Sequence, residues 1–486
     1  MLDGRRYHGA RALIMGLGIH GGGLGAARFL ARYGARLTVT DLRGEDALRP
    51  SIDALDWFVK SVNGCPVKYT LGRHDIKDFE EADIVIKNPG VRPDSPFLKA
   101  ANLVETDISL FLKHSPARLT AVTGSKGKSF TASAIHFGLR EAGRAAFLGG
   151  NITVSPLNFL EELTPDCDVV LELSSWQLGD LPPGLLKPRV AVMTAIMPDH
   201  LDRYGSMEKY VADKRIIYQA QDEDDALIAC DDDWGRGFLS EKKGKTYLYG
   251  CEKPADGIAG AFFGKFDKFD KEGGFDGIDN IAGFAAGPIA GLRSGESECI
   301  VPADVTAPGL HQKMNLTAAG LALLELGIPV PLIRDCMRRF PGIEHRLEFF
   351  YEKNGARFYN DTAATIPEAA AAAVRALGNP VIVTGGTDKN LNFSPLADAL
   401  LDARAVVLLA GTGSAKLAAL LEARNKPFSG PWNKLEDAVK AAVSAAVPGC
   451  AVVLSPGCAS FEMFLNEFDR GRKWKAAVIK VCDALT

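Results

Sequence analysis

Lys128 and Ser129 close the stretch LTAVTGSKGKS (Leu119–Ser129), directly behind Gly124 and Gly127. A lysine and a hydroxyl after a glycine turn are the groups that hold a phosphate. The amides of Gly124, Ser125, Lys126 and Gly127 can point at an anion, Lys128 can reach the outer phosphates, and the Ser129 hydroxyl can ligate Mg2+. The motif is a shortened variant, because Val122 occupies the first glycine position of G-x-x-x-x-G-K-[ST]. Its plain alternative is a strand end and a helix cap. A phosphate loop also needs an acid for its metal, and Glu172 in LELSSWQL (Leu171–Leu178) stands at the end of an apolar run where carboxylates are rarely unpaired. A buried salt bridge is the alternative there. PDHLDRY (Pro198–Tyr204) supplies His200, expected at a strand end, where an imidazole can serve a metal or a carboxylate. Lys214 lies on the helix that follows. As an ammonium it cannot ligate a metal, so it is a surface ion pair or, if carbamylated, a ligand. Cys458, near Ser460 in a glycine turn, is either a reactive thiol or small packing.

The elements that must position these groups can be read from apolar runs and turns. Leu119 to Val122 is strand-like, and TASAIHFGLREAG continues the helix opened by Lys128 and Ser129. Upstream, Ala12 to Met15 reads as a strand, GLGIHG (Gly16–Gly21) as a G-x-G-x-x-G turn, Leu24 to Tyr33 as a helix and Leu37 to Thr40 as a strand ending at Asp41. Taken alone that is a dinucleotide fingerprint, with Asp41 either on a ribose or capping a loop. ADIVIKNPGV (Ala82–Val91) runs into a turn where the Gly90 backbone could approach a ligand, or simply turn.

Downstream of Arg118 the expected strands are VVLELSSWQL, VAVMTAI and DALIACDDDW, alternating with helices as in a parallel sheet. Tyr249 to Glu298, rich in Gly, Phe and Lys-Asp pairs, is expected to be inserted hairpins and loops. After Phe340-Pro341-Gly342, the segments PVIVTGGTDKN, AVVLLAGTGSAKLAALL and AVVLSPGCAS each read as strand, glycine turn and helix, and Thr365 to Gly378 as a helix stopped by Gly378. The fold class is therefore α/β in three domains: a Rossmann-like unit over 1–111, a P-loop unit with a mostly parallel sheet over 112–342, and a second Rossmann-like unit over 343–486.

A length of 486 residues fits about three domains. A net charge of -4 carries no footprint for nucleic acid or an anionic membrane, so neither is expected as a partner. Nine scattered cysteines with no C-x-x-C pair point to reduced thiols and a cytoplasmic location. Arg5 and Arg6 precede an apolar run, but the glycines from Gly16 to Gly23 interrupt it, so a first strand is expected rather than a signal peptide. No apolar stretch reaches the roughly 18 residues of a membrane span.

The chain resembles the Mur ligase family along almost its whole length. The resemblance rests on TGSKGKS, GGNI (Gly149–Ile152), LELSSWQL, DHLDRY, Lys214 in ADKRIIY, GLHQKMN (Gly309–Asn315), FPGIEHR (Phe340–Arg346), NDTAAT (Asn360–Thr365), GGTDK (Gly385–Lys389) and LSPGCASF (Leu454–Phe461). The GLG turn and SPGCAS favour the branch that adds D-glutamate, and no DNPR-like signature of the diaminopimelate- or lysine-adding branches is present. The resemblance implies an ATP-driven amide ligation. ATP phosphorylates the carboxylate of UDP-N-acetylmuramoyl-L-alanine, D-glutamate attacks the acyl phosphate, and ADP and phosphate leave.

It further implies one Mg2+ on Ser129 and Glu172 and a second on His200, Glu172 and a carbamylated Lys214. Asn315, Arg346 and Asp361 would lie around ATP, and Thr365, Lys389 and Ser460 would hold D-glutamate. Ile19, His20, Asp41, Arg43, Gly90 and Asn151 would hold the UDP-sugar, which reassigns the first glycine turn from NAD to UDP. A monomer is expected. Departures from the family pattern are Phe130 for Thr, Ala195 and Gln312 for Asn, Ala363 for Lys, and Glu467 where an aromatic stands seven residues past Ser460, with Phe468 next. The competing readings are a ligase of the same or the folylpolyglutamate type with another amino acid, a non-catalytic nucleotide-binding protein, and an NAD-dependent oxidoreductase, which leaves the phosphate loop and Glu172 unexplained.

Overall fold

The computed structural model describes residues 4–18, 21–152, 154–250, 259–265, 281–286, 297–307 and 309–484. Ile19 and His20 lie outside the described residues. Short apolar runs bounded by glycine turns fold as strands here because a covered parallel sheet buries both faces of each strand. β1 (Arg11–Met15), β2 (Arg36–Asp41), β3 (Lys68–Leu71), β4 (Ile84–Lys87) and β5 (Val104–Glu105) form a parallel sheet in the order β3-β2-β1-β4-β5. The chain runs outward from β1 to β3 and then returns to the other side of β1. That reversal opens a crevice beyond the carboxyl ends of β1 and β4. Gly16, at φ 91°, leaves β1 there, and an added Cβ on it would lie 2.9 Å from Asn88 Cβ in the turn after β4. The helix Gly22–Arg32 follows, close to the expected limits.

The second sheet holds β6 (Arg118–Thr123), β7 (Ala146–Gly150), β8 (Asp168–Glu172), β9 (Val190–Met193), β10 (Ala226–Cys230), β11 (Lys245–Gly250), β12 (Gly260–Lys265), β13 (Ile281–Ala286) and β14 (Ser297–Val301). Among the described residues its order is β14-β13-β12-β11-β10-β9-β6-β8-β7. From β12 to β14 the pairing is antiparallel. The hairpins expected between Tyr249 and Glu298 are therefore present as strands, but they extend the edge of the central sheet; residues 251–258, 266–280 and 287–296 lie outside the described residues.

LELSSWQL is not one strand. β8 stops at Glu172, and Ser174 caps a short helix, Ser175–Gly179. Ser174 Oγ accepts from Gln177 N at 3.2 Å and Gln177 Oε1 accepts from Ser174 N at 3.0 Å, a reciprocal capping box that ends the strand.

The third sheet is built from β15 (Glu348–Lys353), β16 (Ala356–Asn360), β17 (Val381–Thr384), β18 (Ala405–Leu409), β19 (Ser429–Trp432) and β20 (Ala451–Leu454), in the order β15-β16-β20-β17-β18-β19. Only the β15–β16 pair is antiparallel. The helix Pro367–Leu377 starts at its proline and stops at Gly378 as expected. No intervening helix follows β20 directly; the chain loops until the helix Glu467–Ala484.

The described residues of 1–271, 281–302 and 314–337 form one compact unit, and those of 303–313 and 338–486 form another. Within the first, the two sheets share one apolar core, in which the rings of Phe111 and Phe159 are 6.0 Å apart. An ion pair also joins them. Lys87, the last residue of β4, meets Asp180 just past the helix Ser175–Gly179, with side-chain exposures of 3% and 7%. No helix among the described residues is long and apolar enough to cross a membrane.

Burial pushes the Lys87 pKa down and the Asp180 pKa up, so each depends on the other to stay charged. Asp180→Ala leaves the ammonium buried without its acceptor and should destabilise this unit by about 3 kcal/mol. Chemical denaturation checks this, and the double replacement Lys87→Met with Asp180→Leu should recover most of the loss.

Candidate active site

β6 ends at Thr123, and Gly124 to Gly127 turn the chain into the helix Lys128–Glu141. Backbone φ is 143° at Gly124 and 91° at Gly127. A Cβ would lie 1.9 Å from Thr194 Oγ1 at the first and 2.3 Å from Asn315 Oδ1 at the second, so only glycine fits either position. Gly127 caps the helix without a side-chain bond, and a helix N-terminus of this kind suits an anion. Ser125 is buried and stitches the loop to the segment after β9. Its Oγ donates to Met197 O at 2.9 Å and lies 3.0 Å from the Tyr210 hydroxyl, while Ser125 N donates to Ala195 O at 2.9 Å. Ala195 thus contributes through its backbone. Lys126 is exposed, 3.6 Å from Asp199, and Lys128 Nζ donates to Ser125 O at 3.0 Å.

Lys128, Gly90, Asn151, His200 and Lys214 line one cleft of about 570 Å3. Glu172 is buried beside it, and its Oε1 accepts from Asn151 Nδ2 at 3.1 Å. The parallel register that pairs Glu172 with Val122 on one side and Gly150 on the other brings the acid next to the start of the glycine loop. Ser129, half-buried, follows Lys128 in the first helical turn.

Lys214, on the helix Met207–Gln219, is 1% exposed; its Nζ donates to Gly124 O at 2.8 Å and lies 4.5 Å from the Tyr210 ring centroid. Burial, aided by the charge of Lys128, pulls its pKa down to about 7. It is not a surface ion pair. His200 differs from the expectation. It stands seven residues past the end of β9, capping the short helix Leu201–Tyr204 with φ 52°, because the chain after Met193 first crosses over Ser125.

A neighbouring pocket of about 300 Å3 lies over the β1–β4 crevice and is lined by Asp41, Arg43 and Gly90. Asp41 Oδ2 accepts from Gly18 N at 3.2 Å and Oδ1 from Arg43 N at 2.9 Å, so this carboxylate also shapes the glycine turn. Gly90 N donates to Asn88 Oδ1 at 3.0 Å.

The second unit carries the remaining residues. Asp361 follows β16, and its carboxylate accepts from Leu347 N at 3.1 Å and from Ser455 Oγ at 2.6 Å. Burial raises its pKa to about 7 against those two bonds and the charge of Arg346. Thr365 is half-buried just before the helix Pro367–Leu377. Ser460 is buried and lines a small cavity with Thr387 and Arg470, while Lys389 Nζ lies 5.5 Å from the Phe461 ring centroid. Cys458 is fully buried, and burial pushes its thiol up to about 12, so it packs rather than reacts. Glu467 opens the last helix, its carbonyl accepting from Thr362 Oγ1 at 2.8 Å, and the Phe468 ring is 5.3 Å from that of His345.

The motif reading missed several groups. Lys87 was visible only as a lysine ending an apolar run. Tyr210 precedes Lys214 by one helical turn, and its hydroxyl reaches Ser125. Arg470 carries no signal in the sequence. It is 1% exposed and donates to Thr362 Oγ1, Thr362 O and Cys458 O at 2.9, 3.0 and 3.2 Å.

A strand, glycine loop and uncapped helix beside a buried acid, with a crevice from a second parallel sheet opening onto the same cleft, define an α/β protein of the phosphate-loop kind. Comparison with known proteins narrows this. The Mur ligase middle domain matches residues 122–323, the MurD-like N-terminal domain of Mur ligases residues 10–109, and the Mur ligase glutamate ligase domain residues 345–458. The chain is 41% identical to UDP-N-acetylmuramoylalanine–D-glutamate ligase of Treponema pallidum (strain Nichols), over 97% of each. It is 39% identical to the ligase of the same name from Roseiflexus sp. (strain RS-1), over 97% of this chain and 98% of that one. The fold is similar to that of the MurF ligase of Thermotoga maritima in complex with ADP, with a TM-score of 0.54 and 16% identity over the whole of both chains. The chain belongs to the Mur ligase family, in its MurD-like branch. An oxidoreductase reading of the first glycine turn has no support left.

Gly124→Ala must push Thr194 away or distort the loop, at a strain of roughly 1–3 kcal/mol. The expected result, by calorimetry with a non-hydrolysable ATP analogue, is affinity lower by about tenfold or more.

Proposed function

We propose that this chain is an ATP-dependent amide ligase that joins D-glutamate to UDP-N-acetylmuramoyl-L-alanine in the synthesis of peptidoglycan precursors. The observation that carries the reading is the single cleft shared by Lys128, at the start of the phosphate-loop helix, and by Gly90, Asn151, His200 and Lys214. A nucleotide phosphate on the loop and a UDP-sugar over the β1–β4 crevice then extend into one space. The acceptor carboxylate attacks the γ-phosphorus and ADP leaves; the amine of D-glutamate attacks the acyl carbon, loses a proton, and expels phosphate.

Lys128 and the loop amides offset the charge on the moving phosphoryl group. Ser125, Lys126 and Gly127 contribute backbone, and Asn315 packs against Gly127. Asp41, Arg43, Gly90 and Asn151 hold the UDP-sugar. In the other unit Arg346 and Asp361 serve the nucleotide, and Thr365, Lys389 and Ser460 the amino acid.

The donors beside the loop suit Mg2+, which takes oxygen ligands and keeps several waters. Among the described residues no three His, Cys, Asp or Glu side chains converge, so substrate oxygens and water would complete the coordination. Ser129 and Glu172 would hold one ion, and His200, Glu172 and a carbamylated Lys214 a second. When bound, Mg2+ lowers the repulsion between a carboxylate and a phosphate. The burial of Lys214 and its bond to Gly124 O support its carbamylation.

ADP release with ATP, UDP-N-acetylmuramoyl-L-alanine and a panel of amino acids tests the assignment. Release is expected with D-glutamate; release with another amino acid and not with D-glutamate overturns it. Lys214→Ala should be nearly inactive. A neutral amine adds CO2 and an ammonium does not, and the Lys214 pKa is lowered to about 7, so carbamylation should increase from pH 6 to pH 8. With 13C-bicarbonate, a carbamate resonance should appear in the wild type, grow over that range, and be absent from Lys214→Ala.

A further inference from the structure

Trp176 lines the cleft but has no part in the reaction as described. It sits in the first turn of the helix Ser175–Gly179, four residues past Glu172. Its ring lies 4.9 Å, centroid to centroid, from the imidazole of His200 at a tilt of 51°. The guanidinium carbon of Arg203 is 4.2 Å from the indole centroid. His200 and Arg203 are three residues apart, and Arg203 N donates to His200 O at 3.0 Å, closing a turn. Side chains at that spacing fall on one side of a turn, which lets one indole touch both.

His200 needs such support. Its backbone is left-handed, in a segment after β9 without regular structure, so no sheet register aims its side chain. The side chain is 45% exposed, and the nearest carboxylate oxygen, on Asp199, is 3.9 Å from Nε2, too far for a hydrogen bond. Tyr210 meets the imidazole only edge-on at 6.4 Å. Trp176 itself is not oriented by a hydrogen bond: its buried indole N–H has no acceptor among the described residues. Its ring contacts must orient it, and a guanidinium over the face of Trp is a favourable one.

We infer that Trp176, clamped by Arg203, is a positioning residue that aims the His200 imidazole into the cleft. The inference rests on the proposed function in taking His200 as a group that acts there. The clamp runs from the guanidinium through the indole to the imidazole. It requires an aromatic face at position 176 and a cation at position 203; it does not require the indole N–H.

The test uses full-length Trp176→Leu, Trp176→Phe, Arg203→Gln and His200→Ala, each checked for a wild-type thermal melt. ADP release gives kcat and KM with D-glutamate and UDP-N-acetylmuramoyl-L-alanine. Mn2+ binding in the presence of a non-hydrolysable ATP analogue, followed by water-proton relaxation, is the readout independent of turnover. Trp176→Leu should lower kcat by about tenfold or more, as misplacement of an acting group does, with KM for both substrates within about twofold. Mn2+ binding should weaken in the same variant. Trp176→Phe should recover most of both losses, and Arg203→Gln should reproduce part of them.

Unchanged kcat and Mn2+ binding in Trp176→Leu, with both lost in His200→Ala, overturns the inference and leaves the proposed function standing. Trp176→Phe as impaired as Trp176→Leu overturns it too, since the indole N–H would then be the working group. If Trp176→Leu does not fold, an Arg203→Gln variant with wild-type kcat and Mn2+ binding overturns the clamp by itself. Full activity and Mn2+ binding in His200→Ala overturns the assignment of His200 beneath it.

Discussion

A Cβ on Gly124 would lie within bonding distance of Thr194 Oγ1, and one on Gly127 would collide with Asn315. At those two positions the chain can pass only as bare backbone, so the loop has little freedom to adopt another shape. Two further elements hold it: in the segment after β9, Ala195 O accepts from Ser125 N and Met197 O from Ser125 Oγ, and on the helix Met207–Gln219, Tyr210 meets the Ser125 hydroxyl and Lys214 donates to Gly124 O. The amides of the loop and helix are thereby presented before any anion arrives, which removes part of the ordering cost of binding. The same contacts fix Lys214, so the geometry of the cationic side of the cleft follows from the loop.

The cleft collects positive charge in a confined space. Lys87, Lys128 and Lys214 line it, with Asp107 and Asp199 as the acids. The molecule manages this crowding in two ways. Lys87 is neutralised by Asp180 in a buried pair that ties the first sheet to the second. Lys214 instead has its charge weakened by burial and by Lys128. Asp107, fully buried, accepts from Ser155 Oγ at 3.1 Å and from Ile108 N at 2.9 Å, and so ties the end of the first sheet to the loop that carries Asn151. Burial raises its pKa, and those two bonds oppose the rise. Beside the apolar core, the two sheets are thus also tied by a buried ion pair and by the bonds of Asp107.

The strands and glycine turns of all three sheets were legible because they depend on local rules, apolar runs and positive φ at glycine. The errors also have local causes. LELSSWQL looked like a single strand because its apolar residues continue past Glu172, whereas the Ser174–Gln177 capping box ends the strand there and turns Trp176 toward the cleft. His200 was expected at a strand end because PDHLDRY follows an apolar run; the segment instead first crosses Ser125, and hydrogen bonds to that serine lengthen the connection. Glu467 stood out as a misplaced acid, but its backbone opens a helix and bonds Thr362, while Arg470 one turn later is the buried cation of that region.

By itself the sequence determined the strand–loop–helix at 119–141, the glycines that leave β1 at 16 and 18, the buried carboxylate at 172 and the α/β class, since each follows from periodicity or from a residue's own conformational range. Only the tertiary structure decided that Gly90, Asn151, Lys128, His200 and Lys214 share one cleft, that Lys214 is buried and not a surface lysine, and that Trp176, Tyr210 and Lys87 stand among them. Those facts depend on strand order and on contacts between residues far apart in the chain. Burial and pKa arise only when such segments pack and exclude water, and no local pattern encodes which distant side chain does the excluding.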